Sequence, residues 1–505
     1  MSFGPPPTPY NVPGPDVSSG PPPRTGRRRT AVGAVAAVLL VALAAGVWAF
    51  GPGGAGGGSA SDARAAAVGR QAPDDIRETV EKRPPSPEGA AAVSYEETLR
   101  TVGRNVSAMG TWATDKVFAK GFGNEIRGFR LGGSEASEIA WRLTLPGPLC
   151  AVTRHVSVDG RTAIAYAGEA TDADSDADTG TGTGTDGGPE ADPLTSACDR
   201  LAVFDIDTGK KMWDTKLAGA GSSLAVNVTM TDGTVVTAWG EGSAAYELTG
   251  GKRLWADTDP SACADEGFAG GRDLLALLSC GDSADPTYRV QKIDPRTGDA
   301  EWTYRVARGV QGVYLVSSSP AVVVVAAGDV VVTDLVSLDE RGKRRATIRL
   351  NRDHQVLDCD RTFSAVVESC GAIVVDDERL YLSEEDHIVA HDLATGRTAG
   401  KFDAPAGGEM HPLRMSGGQL IAYRPGQGLG RPDAVVALDP ESGEETLLLL
   451  FAGGAEVGAL DDPAHNDIVY EHGRVFFGAR TVVGPYDEGE VGGTDQVAVG
   501  IESAG

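Results

Sequence analysis

Six cysteines, seven histidines and a run of aspartates are the side chains in this sequence with the most obvious chemical potential. The cysteines are Cys150, Cys198, Cys263, Cys280, Cys359 and Cys370, and the nearest two are 11 residues apart. No Cys-x-x-Cys pair or metal-spaced histidine accompanies them, so zinc chemistry has no ligand set. An even count in one part of a chain points instead to three disulfides and an oxidising compartment, with 15 pairings open to six cysteines. His155, His354, His387, His391, His411, His465 and His472 are scattered. His387 and His391 stand four apart, which would share a helix face, but strand alternation makes His391 an ordinary repeat position. Asp172, Asp174, Asp176 and Asp178 alternate as in a calcium loop. They lack the glycine at position six and the acid at position twelve that such a loop requires. There is no G-x-S-x-G elbow and no phosphate-binding Walker loop. The residues therefore offer no catalytic, cofactor or metal site, and the expectation is a protein that is not an enzyme.

The elements that would carry such residues repeat. Phe204 opens FDIDTGKKMW, Tyr246 opens YELTGGKRLW, and Ile293 opens IDPRTGDAEW. His391 opens HDLATGRTAG, Leu438 opens LDPESGEETL, and a shortened copy, LDERGKRRA, starts at Leu338. The glycines Gly209, Gly251, Gly298, Gly342, Gly396 and Gly443 are spaced by 42, 47, 44, 54 and 47 residues. In each unit an apolar strand leads to a turn whose Asp can bond backbone N–H groups and whose Gly supplies a positive φ. Trp213, Trp255 and Trp302 follow their glycines by four, and Trp141 ends a looser first copy. A buried indole removes on the order of 200 Å² from water, enough to dock one unit on the next. A second hairpin signal precedes most units: Asp232-Gly233, Asp376-Asp377, Gly417-Gly418 and His472-Gly473. Two hairpins per unit make four antiparallel strands, and many such units make an all-β propeller.

The pattern of apolar strand, Asp-x-x-Thr-Gly and a Trp four residues on resembles the PQQ-like (pyrroloquinoline quinone) propeller repeat, also the repeat of outer-membrane assembly lipoprotein B. The resemblance runs from about 112 to 501 and implies eight blades, with seven the alternative. It also implies that the final strands, around Asp495–Ile501, complete the first blade. The dehydrogenase branch of that family uses a vicinal Cys-Cys disulfide and a calcium-binding carboxylate set, and neither has a match here. The propeller makes sequential cysteines the expected pairs: Cys150–Cys198, Cys263–Cys280 and Cys359–Cys370.

Outside the repeat, Thr30 to Phe50 is 21 residues without a charge, long enough at 1.5 Å per residue to cross a membrane. Arg24, Arg27, Arg28 and Arg29 precede it, placing the N-terminus in the cytoplasm and the rest outside the cell. A cleaved signal peptide would end near Ala42-Leu43-Ala44, but the apolar run continues past it. The expected organisation is a Pro-rich disordered tail (1–29), a transmembrane helix (30–50), a flexible linker and stalk (51–110) with a short helix around Tyr95–Val102, and the propeller (111–501) with a disordered acidic insert (171–197).

Net charge is −26, and residues 1–50 contribute +3, leaving −29 for the remainder. Such a surface repels phosphates, which excludes nucleic acid as a partner. The expected function is a non-enzymatic cell-surface scaffold binding a protein, peptide or envelope polymer. An envelope-assembly or secretion factor is the alternative, and a quinone-dependent oxidoreductase the more remote one.

Overall fold

The computed structural model describes residues 71–99, 105–168, 197–220, 226–240, 242–258, 263–282, 285–327, 332–350, 359, 367–368, 370–384, 386–405, 408–426, 432–451, 457–484 and 494–504. The expected transmembrane span, the tail and nearly all of the acidic insert lie outside them. Among the described residues there is no α-helix, only one 3-10 turn at Gly458–Asp461, and no helix long and apolar enough to cross a membrane.

The chain is a β-propeller. Sheet 1 runs from Thr111–Ala113 to Ile139–Thr144, sheet 2 from Leu149–Val152 to Lys211–Lys216, and sheet 3 from Asn227–Thr231 to Arg253–Asp257. Sheet 4 runs from Cys263–Ala269 to Ala300–Arg305, sheet 5 from Val310–Ser318 to Arg344–Arg349, and sheet 6 from Ile373–Val375 to Thr398–Asp403. Each has four antiparallel strands. The remaining strands form one eight-stranded sheet, and Asn105–Ser107 pairs with Thr481–Val483 as a separate short ladder.

The repeated turn is built as its residue types require. Asp294 Oδ1 accepts the N–H groups of Arg296 and Thr297 at 2.8 and 2.9 Å, and Asp205, Asp392 and Asp439 cap their own turns in the same way. All six anchoring glycines have positive φ, between 66° and 78°. They also leave room for a neighbour: a Cβ on Gly209 would fall 2.4 Å from the Trp141 ring, and one on Gly251 2.6 Å from Trp213. Trp255 faces Gly298 and Trp302 faces Gly342 in turn, so each indole docks on the glycine turn of the next sheet.

A single carbonyl in each turn completes the seam. Trp141 Nε1 donates to Ile206 O at 3.0 Å, Trp213 to Leu248 O at 2.7 Å, and Trp255 to Pro295 O at 3.0 Å. Each acceptor lies three residues before the turn glycine. Where the sequence has no tryptophan, another side chain bonds the equivalent carbonyl. Ser337 donates to Leu393 O, and Arg379 Nη1 to Pro440 O at 2.8 Å. The exception is Trp302, whose Nε1 meets no acceptor. Its turn is one residue shorter, and Gly342 N closes it on Asp339 O instead of four residues back.

Two expectations are corrected. The final strand, Thr494–Ser503, does not join the first sheet. It lies in the last sheet between Arg474–Ala479 and Glu88–Thr98, pairing antiparallel with both. The outer strand there is N-terminal, drawn from the stretch expected to be stalk with a helix near Tyr95–Val102. Its Ala- and Glu-rich sequence has helical propensity, but Val93 and Tyr95 bury against the last sheet and a nine-pair ladder takes its backbone. Tertiary pairing overrides propensity here. The seam between this sheet and sheet 1 uses Phe118 stacked on Phe476 at 4.6 Å, and fully buried Lys120 donating to Ala108 O, Gly110 O and Ala479 O. Burial pushes that amine down to about 8.

All three disulfides form as expected: Cys150–Cys198, Cys263–Cys280 and Cys359–Cys370.

Two stability measurements test these seams. Trp213→Phe gives up an indole hydrogen bond and Trp302→Phe does not, so the first should lose about 1 kcal/mol more in urea unfolding. His391 is buried with neither ring nitrogen bonded, at the position other copies give to Leu338 or Leu438. Burial lowers its proton affinity. The unfolded chain then takes up a proton below about pH 6.5 before the folded chain does, so stability falls as pH drops. His391→Leu should raise stability by about 1–2 kcal/mol at pH 7 and more at pH 5.

Candidate binding site

The first strands of sheets 1, 2, 3, 5 and 6 face the propeller axis, as do Gly270–Arg272 of sheet 4 and His411–Ser416 and Asn466–Glu471 of the large sheet. Together they surround one cavity of about 620 Å³. Two segments that belong to no sheet bound it.

The first is the connector between sheets 5 and 6, which carries Val367 and Glu368 inward. Val367 O accepts the Leu315 amide at 2.9 Å, and its side chain presses on Gly267, where a Cβ would fall 2.4 Å away. Glu368 then reaches His155 and Thr229 of sheets 2 and 3. His155 Nε2 lies 2.6 Å from Oε1, Thr229 Oγ1 donates to Oε2 at 2.7 Å, and Arg154 Nε stands 3.9 Å off. Burial alone would raise this carboxyl. The imidazole, the guanidinium and the threonine bond reverse that and hold it down to about 2. Glu368 thus pins the connector across the axis.

The second is residues 71–82, which cross the end of the cavity where the inner hairpins turn. On one side the backbone bonds to sheet 2 and sheet 3. Val158 N donates to Asp75 O, Asp159 N to Pro73 O and Gly233 N to Asp74 O, each at 2.9 Å. Arg77 N donates to Val156 O at 2.8 Å, and Arg77 Nη2 to Ala113 O of sheet 1 at 2.6 Å. On the other side Glu81, almost fully buried, accepts the N–H groups of His472 and Gly473 at 2.8 and 2.9 Å and pairs with Arg414. Between them Glu78 pairs with Arg272, which also holds Asp377 of sheet 6 at 2.9 Å. The strap turns once at Ala72–Asp75 and then crosses without regular structure, fixed by polar contacts to several sheets.

Of the residues singled out from sequence, the four tryptophans meet Gly209, Gly251, Gly298 and Gly342 pairwise at the seams, Gly396 faces Thr347 and Ala346, and Gly443 meets no tryptophan. Cys150 and Cys370 lie at the cavity wall, bonded to Cys198 and Cys359 respectively. His155 is the one described histidine bonded to Glu368. His387 pairs with Glu384 and Asp386, His465 with Asp462, and His354 lies outside the described residues. The aspartates of the insert do too. No group of three His, Cys, Asp or Glu side chains among the described residues could hold a metal ion. Sequence reasoning missed Glu368, the strap and the cavity arginines. Their partners are far apart in the chain, 213 residues for Glu368 and His155, so no local spacing signals them.

The buried carboxylate carries a pH dependence. Its folded affinity for protons lies well below the ordinary 4.3, so it stabilises the fold fully above that value and loses this as pH falls towards 2. Glu368→Gln should cost roughly 2–3 kcal/mol at pH 7 and flatten the acid limb of a stability–pH curve.

Residues 198–447 match the family model described as outer membrane protein assembly factor BamB. No curated protein matches the sequence. Among solved structures, BamB from Moraxella catarrhalis is similar at 13% identity and a TM-score of 0.42, over 81% of this chain and 98% of that one. The quinohemoprotein alcohol dehydrogenase ADHIIG from Pseudomonas putida HK5 is similar at 11% identity and a TM-score of 0.46, over 84% and 78%. That from Comamonas testosteroni gives 11% and 0.45, over 87% and 83%. Residues 198–447 of the chain are therefore similar to the PQQ-like repeat of the assembly factor BamB family model.

Proposed function

We propose that the chain is a non-enzymatic binding scaffold of the bacterial envelope, an eight-bladed propeller held outside the cell by a membrane span at Thr30–Phe50. The three disulfides carry the compartment, since such bonds persist only where thiols are not kept reduced. The charge-free run and its preceding arginines support the anchor and its orientation.

Eight blades are supported by the way the large sheet divides. Its strands fall into two sets of four, 411–451 as one and 466–479 with 494–503 and 88–98 as the other. They meet only through the short parallel pairing of Glu88–Gly89 with Leu450–Phe451. Similarity to that family model supports protein binding as the role, with the outward-facing ring ends offering the surface. The cavity walls support binding over chemistry, because their carboxylates and cations are engaged with one another: Glu368 with His155, Asp467 with Arg480, Glu81 with Arg414.

Cross-linking in living cells followed by identification of captured proteins should recover one or a few envelope proteins, and capture of cytosolic proteins would overturn the assignment. Thiol labelling without reductant should modify none of the six cysteines. Purified protein given the quinone and calcium should show neither a thermal shift nor dye reduction.

A further inference from the structure

The segment 71–82 makes one β-bridge, Ile76 to Ser157, and otherwise lies on the ring as a ligand would. Its neighbours supply donors placed for its two glutamates. Arg272 Nε meets Glu78 at 2.5 Å, and Arg414 with two backbone N–H groups encloses Glu81. These cationic groups face inward on a protein whose net charge is −26. Arg414 is committed to this end of the ring, also donating to Thr79 O at 3.0 Å and Tyr470 O at 2.7 Å. The fit is incomplete, however. Thr79 Oγ1 and the Tyr470 hydroxyl are buried beside the strap without a hydrogen-bond partner. Tyr470 is only 1% exposed. Buried polar atoms left unbonded are costly, so this groove would hold a better-matched peptide more strongly than the one it has.

We infer that this end of the axial channel is a docking site for an extended acidic peptide, with carboxylates three residues apart, from a partner protein, and that residues 71–82 occupy it in cis. The inference rests on the scaffold reading above and names the chemistry of its partner. The resident segment competes at the millimolar effective concentration of a short tether, so a partner must present the same carboxylates and use the unspent groups as well. Binding then releases the strap and opens the cavity below.

The probe is a fluorescent peptide of residues 71–82 titrated against the full-length protein. Glu78→Gln with Glu81→Gln weakens the resident strap, and this variant should bind the peptide at least 10-fold more tightly than the wild type. Adding Arg414→Glu should abolish binding, and a peptide with both glutamates changed to lysine should not bind. Absence of saturable binding by a double variant that unfolds at the wild-type temperature would overturn the inference, as would binding indifferent to Arg414. Should the double variant not fold, hydrogen exchange on the wild type decides: excess peptide must speed exchange at Arg77, and unchanged rates refute the site. Concentration-dependent dimers lost on Arg414→Glu would give the groove to a second copy of this chain and also overturn it. Cellular cross-links from loops at the other end of the ring would leave the scaffold function standing in every failing case.

Discussion

Five seams of this propeller turn on a donor from one sheet meeting a single backbone carbonyl in the glycine turn of the next. Sheets packed face to face bury apolar surface without fixing their mutual angle, because hydrophobic contact has no direction. A hydrogen bond does have direction, and a glycine without a Cβ lets the donor side chain approach within contact of the backbone. Trp141, Trp213 and Trp255 supply both terms at once, a broad apolar plate and an N–H at its edge. Ser337 and Arg379 supply only the bond, and Trp302 only the plate. The ring tolerates loss of either half at a seam, provided the other remains.

Closure is a separate problem, because a circle of sheets has one joint that no linear repeat specifies. The first and last sheets meet through stacked phenylalanines and the Lys120 ammonium, while the last sheet borrows its outer strand from Glu88–Thr98. That strand also covers what would be an open edge, the usual liability of a terminal sheet. Its upstream continuation then crosses the axis as the strap. One stretch of some thirty residues thereby seals both the side of the ring and the end of its channel.

The repeat was legible because its rules are local. Asp, Gly and Trp at fixed offsets report a turn, a positive φ and a seam, and each disulfide joins cysteines that follow one another in the chain. The N-terminal strand was not legible: EGAAAVSYEET has the Ala and Glu content of a helix, and only a ladder to residues 494–503 makes it a strand. The substitutes for tryptophan were equally hidden, since Ser337 and Arg379 lie outside the repeat's Trp position and act by reach alone. The axial groups fall in the same class. Glu368 sits in an unpatterned connector, and nothing near it in sequence announces a histidine across the channel.

The borrowed strand also imposes an order of events during synthesis. Residues 88–98 leave the ribosome early, yet their partner, 494–503, is made some 400 residues later. At about 5–20 residues per second the wait is roughly 20–80 s. Over that interval the segment must stay unpaired, and its alternating valine and tyrosine offer a template to any other free edge. A nascent chain cut short anywhere before residue 494 would carry an open ring with two unsatisfied edges, a natural substrate for quality-control proteases.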